Sequence, residues 1–206
     1  MSKISLSPNA SGTGTFTIAS PGTSTDRTLT LPDNSGTLLS NASTAGFPAG
    51  SVLQVVSASK TDTQSTSLQA WVDVTGLSVS ITPTSATSKM LVVVDVQGTG
   101  TNRYNAIRVV RNGTAVGVGA TAGSRASVLS GFGLDPDSGT NYIHVLYNAG
   151  GSFLDSPAST SAQTYKVQFG ATNTTATSYI NRTVDDTDAS YSLRGISTIT
   201  VMEIAA

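Results

Sequence analysis

Residues 90–94, Met-Leu-Val-Val-Val, form an unbroken apolar run inside the string KMLVVVDV at 89–96. Rich in β-branched side chains, the run is too short for a helix that must hide itself and fits a strand covered on both faces. It reads as the central strand of a β-sandwich. Strands over 51–56 (SVLQVV), 106–110 (AIRVV), 142–147 (YIHVLY), 165–169 (YKVQF) and 198–204 (TITVMEI) surround it.

No stretch of twelve residues carries apolar positions at helical spacing without a Gly or a Ser/Thr cluster breaking it, so the chain reads as all-β with almost no helix. Between residues 68 and 74, Leu68, Ala70, Val72 and Val74 alternate with Gln69, Trp71 and Asp73, which predicts a half-buried strand. Leu77, Val79 and Ile81 repeat the rule, and Pro83 ends it. Residues 97–100 (QGTG) read as a Gly-rich bend, and 178–180 and 190–193 as short strands either side of an Asp-rich turn. Asn112-Gly113 between apolar runs predicts a two-residue type I′ hairpin, because both central residues need positive φ. Another turn falls at 135–139 (DPDSG).

Residues 1–47 read differently. Two short alternating segments, 15–18 and 28–31, precede a Pro-Asp-Asn-Ser-Gly turn at 32–36, which leads into Thr37-Leu38-Leu39. Phe16, Ile18, Leu29, Leu31 and Leu38 are too few to close a core in one chain. An isolated hairpin of this kind is marginal in water, so the segment is expected to intertwine with other copies or to dock on another protein. Residues 40–50 have linker composition, which places a boundary between an amino-terminal anchoring stem, 1–47, and an antiparallel jelly-roll-like sandwich knob, 48–206.

Charge narrows the partners. Only 11% of residues are charged, and 11 Lys+Arg against 12 Asp+Glu leave a formal net charge of −1. Nothing in that balance draws the chain to nucleic acid or to an anionic membrane. The absence of Cys removes disulfides, thiolate nucleophiles and zinc-thiolate sites. The opening MSKISLSPNASG lacks the apolar core of a signal peptide, and no run approaches the roughly 18 apolar residues of a membrane span. The expected place of synthesis is the cytoplasm.

Within residues 13–39, the string GTFTIASPGTSTDRTLTLPDNSGTLL resembles a short repeat near the amino termini of tailed-bacteriophage tail fibre and virion proteins. There a Thr-rich strand runs into a Leu-Pro-Asp turn and then Gly-Thr-Leu. The strings SVLQVVSASKTDTQSTS, WVDVTGLSVSITPTSATSKMLVVVDV, FLDSPASTSAQTYKVQF and STITVMEI resemble the carboxyl-terminal module of fibre or structural proteins from phages of aquatic bacteria. The resemblance implies a virion location and a homotrimeric fibre or spike. Its amino-terminal part would attach to other proteins of tail or head, and its knob would face a host surface glycan or protein. A capsid decoration protein is the alternative, and a polysaccharide-degrading spike a third reading.

Chemistry-bearing residues are sparse. His144, the only histidine, sits on the expected 142–147 strand and reads as a structural or interface residue. Asp185, Asp186 and Asp188, like Asp135 and Asp137, lack the late Glu of a calcium loop and read as turn chemistry. No catalytic residue, metal ligand or cofactor is expected. Trp71 is either a platform for a sugar ring or a plug between subunits, with the plug favoured. Tyr104, Arg125 and Phe132 are the loop candidates for ligand contact. Arg103, Arg108 and Arg111 are expected to pair with surface acids.

Overall fold

The computed structural model describes residues 47–133, 143–173 and 176–206, together with 10–15, 17, 22, 24–26 and 28. The chain divides into two compact units, Met1–Leu38 and Leu39–Ala206, and the second holds every strand among the described residues. Of the strand segments expected at 15–18 and 28–31 only 15, 17 and 28 are described, none of them in a strand; the turns at 32–36 and 135–139 and Tyr142 lie outside the described residues.

Among the described residues eleven strands build two antiparallel sheets: β1 (Val52–Lys60), β2 (Gln64–Thr66), β3 (Val72–Ile81), β4 (Lys89–Gly100), β5 (Asn105–Arg111), β6 (Thr114–Val116), β7 (Ser130–Phe132), β8 (Tyr147–Asp155), β9 (Gln163–Ala171), β10 (Ser178–Ile180) and β11 (Ser197–Ile204). No α-helix occurs among the described residues. Three pairs lie end to end as interrupted single strands. In the first sheet β1 pairs β11 while β2 pairs β10, and β10 and β11 both follow β4. In the second, β6 and β7 share one side of β5.

Each sheet is therefore four strands wide. Sheet A runs β1/β2, β10/β11, β4, β8, and sheet B runs β3, β9, β5, β6/β7. Numbered one to eight along the chain, these merged strands stand in the orders 1-8-3-6 and 2-7-4-5, the two interlocked Greek keys of a jelly roll.

The core lies between the sheets. Met90, Val92, Val94 and Val96 of β4 meet Leu77, Val79 and Ile81 of β3, Ile107 and Val109 of β5, and Tyr165, Val167 and Phe169 of β9. Burying each large side chain contributes roughly 1.5–3 kcal/mol, and the alternating pattern of every long strand follows from the pleat.

Asn181 holds the interruption of sheet A. Fully buried at φ 60°, it donates from Nδ2 to the Lys60 carbonyl at 2.7 Å and the Asp62 carbonyl at 3.0 Å, and accepts from Ser197 Oγ at 2.6 Å. Residues 182–196 leave the sheet between its two halves.

Several expectations need correction. Strand β4 is central, flanked by β11 and β8, but only its inner face is fully buried; Leu91 and Val93 on the outer face are half-buried. The Gly-rich stretch 97–100 is no bend but the last third of β4. Its glycines permit close approach: a Cβ on Gly98 would stand 2.9 Å from the Phe132 ring. The expected 142–147 strand starts only at Tyr147 and continues to Asp155, because pairing with β4 holds 148–151 extended despite their turn-like composition. Residues 190–193 form no strand, and 190–191 are a turn.

Leu68 is 61% exposed instead of facing inward. The strand begins at Val72 and merges the two segments expected separately, with a register shift between Asp73 and Ser78 and Gly76 at φ 90°. The hairpin at 112–113 is as expected, with φ 49° at Asn112 and 88° at Gly113.

Candidate functional site

The two ends of the sandwich differ in what they carry. At the near end the chain enters the sheet beside its own last strand: Gly50 N donates to the Ala205 carbonyl at 2.8 Å, and Ala205 N to the Ser51 carbonyl at 2.9 Å. The opposite ends of β4, β5 and β9 meet at the far end, where Asn105 pairs Ala171. Nine residues of β1 separate the two ends, a span of about 30 Å at roughly 3.3 Å per residue.

A depression of ≈ 640 Å³ opens at the far end, lined by Arg103, Tyr104, Ser124, Arg125, Thr172 and Asn173 over Asn105, Ala106 and Gly131. Its floor is rigid. Asn105 is 2% exposed, donates from Nδ2 to the Asn102 carbonyl at 2.5 Å and accepts from Ser178 Oγ at 2.5 Å. Tyr104 holds the 172 loop, its carbonyl accepting from Thr172 N at 2.8 Å and Thr172 Oγ1 at 3.0 Å, while its ring remains 38% exposed. Arg125 closes a tight turn on the other wall, with backbone N and side-chain NH1 each 3.2 Å from the Ala122 carbonyl. Among the described residues no carboxylate lines the depression.

Continuous with it, the outer face of sheet B is polar. Two positions along β5 from Ala106, the Arg108 guanidinium lies 4.5 Å above the Trp71 ring and donates from Nε to Gln168 Oε1 at 2.8 Å. Burial lowers the pKa of Arg108 from its ordinary value. Gln168 Nε2 and Lys166 Nζ in turn donate to Asp73 at 2.7 and 2.9 Å, and these contacts, the Gln168 bond foremost, hold the Asp73 carboxyl below its usual pKa. The Asp73 charge is thereby committed to β9.

Of the four candidate contact residues, the fold brings Tyr104 and Arg125 into one depression and sets Trp71 beside it on the same outer face. Phe132 must be withdrawn: it belongs to β7, is 6% exposed, and turns its ring into the core against Gly98. Arg111 pairs an acid, Asp155, as expected. Arg108 instead stacks on Trp71 and has no carboxylate partner among the described residues. The Arg108–Trp71 pair joins residues far apart in sequence, and the one local sign of it was the outward position of Arg108 between Ile107 and Val109.

His144 lies in a short 3₁₀ segment, not on a strand. Its ring meets Tyr191 edge-on at 4.5 Å, and Nδ1 stands 3.8 Å from Asp185 Oδ2. The acidic cluster behaves as turn chemistry: Asp185 accepts from Thr187, and Asp186 pairs Arg182 and Arg194. Among the described residues no group of three or more His, Cys, Asp or Glu is placed to hold a metal ion. The far end presents the Arg125 guanidinium, the partly exposed Tyr104 and amide and hydroxyl groups above the hydrogen-bonded Asn105. The sequence matches no family model and no curated protein.

Proposed function

We propose that the protein is a non-enzymatic virion component, a homotrimeric fibre or spike that attaches through residues 1–47 and contacts a host surface through the far end of its jelly roll. The observation that carries this reading is the placement of the depression at the end opposite the point where the chain enters the sandwich. A knob held from its amino terminus presents that end outward. Double-sheet jelly rolls recur in viral capsid and lectin domains, which supports the reading by analogy alone.

Self-association is supported by the outer face of sheet A. Val55, Met202, Leu91 and Leu154 stand in cross-strand register as one apolar row, with Val55 54% and Leu154 63% exposed. Apolar rows of this kind are costly in water and favour burial against a partner. In the homotrimer this face meets neighbouring copies, while the polar face of sheet B stays outside. Leu154→Glu is expected to dissociate the assembly to monomers in sedimentation experiments without lowering the melting temperature by more than a few degrees, since the site is exposed within the monomer. A trimer that survives the substitution would move the interface elsewhere.

Electron microscopy of particles labelled with antibody against this chain tests the location. Label on the tail or its fibres supports the proposal. Label spread over the head favours capsid decoration, and unlabelled particles remove the virion premise.

A further inference from the structure

We propose that a recess on the outer face of sheet B, beside the Asn112-Gly113 hairpin, binds a neutral hexose, its hydroxyls shared between Asp73 and Lys166 and one face of its ring resting on Val110. The recess shares no lining residue with the far-end depression. Only its accessibility in the assembly rests on the proposed trimer, which leaves this face outside.

Strand register builds the recess. Lys166 of β9 stands opposite Val110 of β5. Just past the end of β5, Asn112 N donates to the Thr164 carbonyl at 2.9 Å, and Asn112 Oδ1 accepts from Thr164 N at 2.9 Å. Asn112 Nδ2 donates to Gln163 Oε1 at 3.0 Å, which fixes the hairpin wall. On the opposite wall Asp73 is held by Gln168 and Lys166. Walls fixed before a ligand arrives lower the ordering cost of binding. Val110, 3% exposed, is the one apolar side chain in the lining among the described residues, and a volume of ≈ 400 Å³ suits a single sugar ring.

The charge balance selects the ligand class. Asp73 Oδ2 lies 2.9 Å from Lys166 Nζ, with the two side chains 45% and 44% exposed. Their charges cancel, so neither an anion nor a cation gains by entering. What both groups keep is hydrogen-bonding capacity. A carboxylate accepts about four bonds and an ammonium donates three; Asp73 receives one on each oxygen, and Lys166 Nζ gives one. A hydroxyl both donates and accepts, so adjacent sugar hydroxyls can donate to Asp73 and accept from Lys166 in charge-assisted bonds. An extended peptide would bring apolar side chains that a single valine cannot bury.

The test is saturation-transfer magnetic resonance and calorimetric titration of the full-length chain with methyl β-galactoside, methyl β-glucoside and methyl α-mannoside, with galacturonic acid and glucosamine as charged counterparts. At least one neutral glycoside is expected to bind at millimolar concentration, with the charged sugars no tighter. Asp73→Asn and Lys166→Met are each expected to weaken that binding about tenfold, whereas Arg125→Gln, in the far-end depression, leaves it unchanged.

Circular dichroism melts of the three variants establish that they fold. The proposal is overturned if no neutral glycoside binds at millimolar concentration, if a charged sugar binds tenfold more tightly than the neutral ones, if either Asp73→Asn or Lys166→Met binds as the native chain does, or if Arg125→Gln weakens binding equally. Sugar binding by a chain that sediments as a monomer would uphold the recess and sink the trimer, whereas a trimer without sugar binding would do the reverse.

Discussion

Replacing Asp155 with alanine is expected to destabilise the sandwich by about 3–5 kcal/mol, the usual cost of removing one partner from a buried ion pair. Asp155 ends β8 in sheet A, and its carboxylate faces two groups from sheet B. Arg111 of β5 pairs with it, and Tyr165 of β9 donates its hydroxyl at 2.7 Å. The side chains of Asp155 and Arg111 are only 12% and 22% exposed, and Tyr165 is fully buried. Burial, reinforced by the Asp155 carboxylate, raises the Tyr165 phenol far above its ordinary pKa, so it remains a donor.

Without Asp155, a guanidinium and a phenol are left in a largely dry gap between the sheets. Urea unfolding, with the slope unchanged, measures the loss. Tyr165→Phe, which removes one donor and leaves the ion pair, should cost only about 1 kcal/mol. The triple change Arg111→Met, Asp155→Leu, Tyr165→Phe should recover most of the stability, since apolar replacement of a whole buried network is often neutral. A loss below about 1 kcal/mol for Asp155→Ala would show that the network does not clamp the two sheets.

Glu203→Ala is expected to cost about 3 kcal/mol at neutral pH, by leaving donors buried without an acceptor. Glu203 is fully buried near the end of β11. Its Oε1 accepts from Thr84 N and Thr84 Oγ1, each at 2.7 Å, and its Oε2 from Gln54 Nε2 at 2.5 Å. One carboxylate thus ties the 82–88 loop and β1 to the last strand.

Burial alone would raise its pKa, but hydrogen bonds from Gln54 and Thr84 outweigh it and hold the group below the ordinary 4.5. A lowered folded value means that the stabilisation is fully present above the unfolded pKa and is lost as pH falls through the folded one. Stability measured across pH 6 to pH 3 should therefore fall, and Glu203→Gln should flatten that slope while costing stability at pH 7, where its amide N–H₂ opposes the Thr84 donors. Parallel pH profiles for the two proteins would exclude Glu203 as the source.

Much of the fold was legible before the coordinates. The strands around 89–96, 105–111, 163–171 and 197–204 and the Asn112-Gly113 hairpin followed from β-branched runs, alternation and turn chemistry, all properties of neighbouring residues. Strand existence is local because burial on one face demands a period of two.

What local pattern missed had long-range causes. Residues 148–151 look like a turn, yet β4 holds them in a ladder. Phe132 looks like a loop aromatic, yet Gly98, 34 residues earlier, leaves the hole it fills. The carboxylates that hold the sandwich together are equally silent in sequence, for Asp155 meets Arg111 and Tyr165, and Glu203 meets Thr84, only after Greek-key closure.

The sequence by itself determined an all-β chain with a sandwich knob, few charges and no Cys, because composition and alternation decide what can be buried. Only the tertiary structure decided the 1-8-3-6 and 2-7-4-5 strand orders, the convergence of Tyr104 and Arg125 at the end away from the incoming chain, and the division into an apolar and a polar outer face. Those depend on which distant strands pair, and pairing is chosen by the joint burial of both sheets rather than by any one segment.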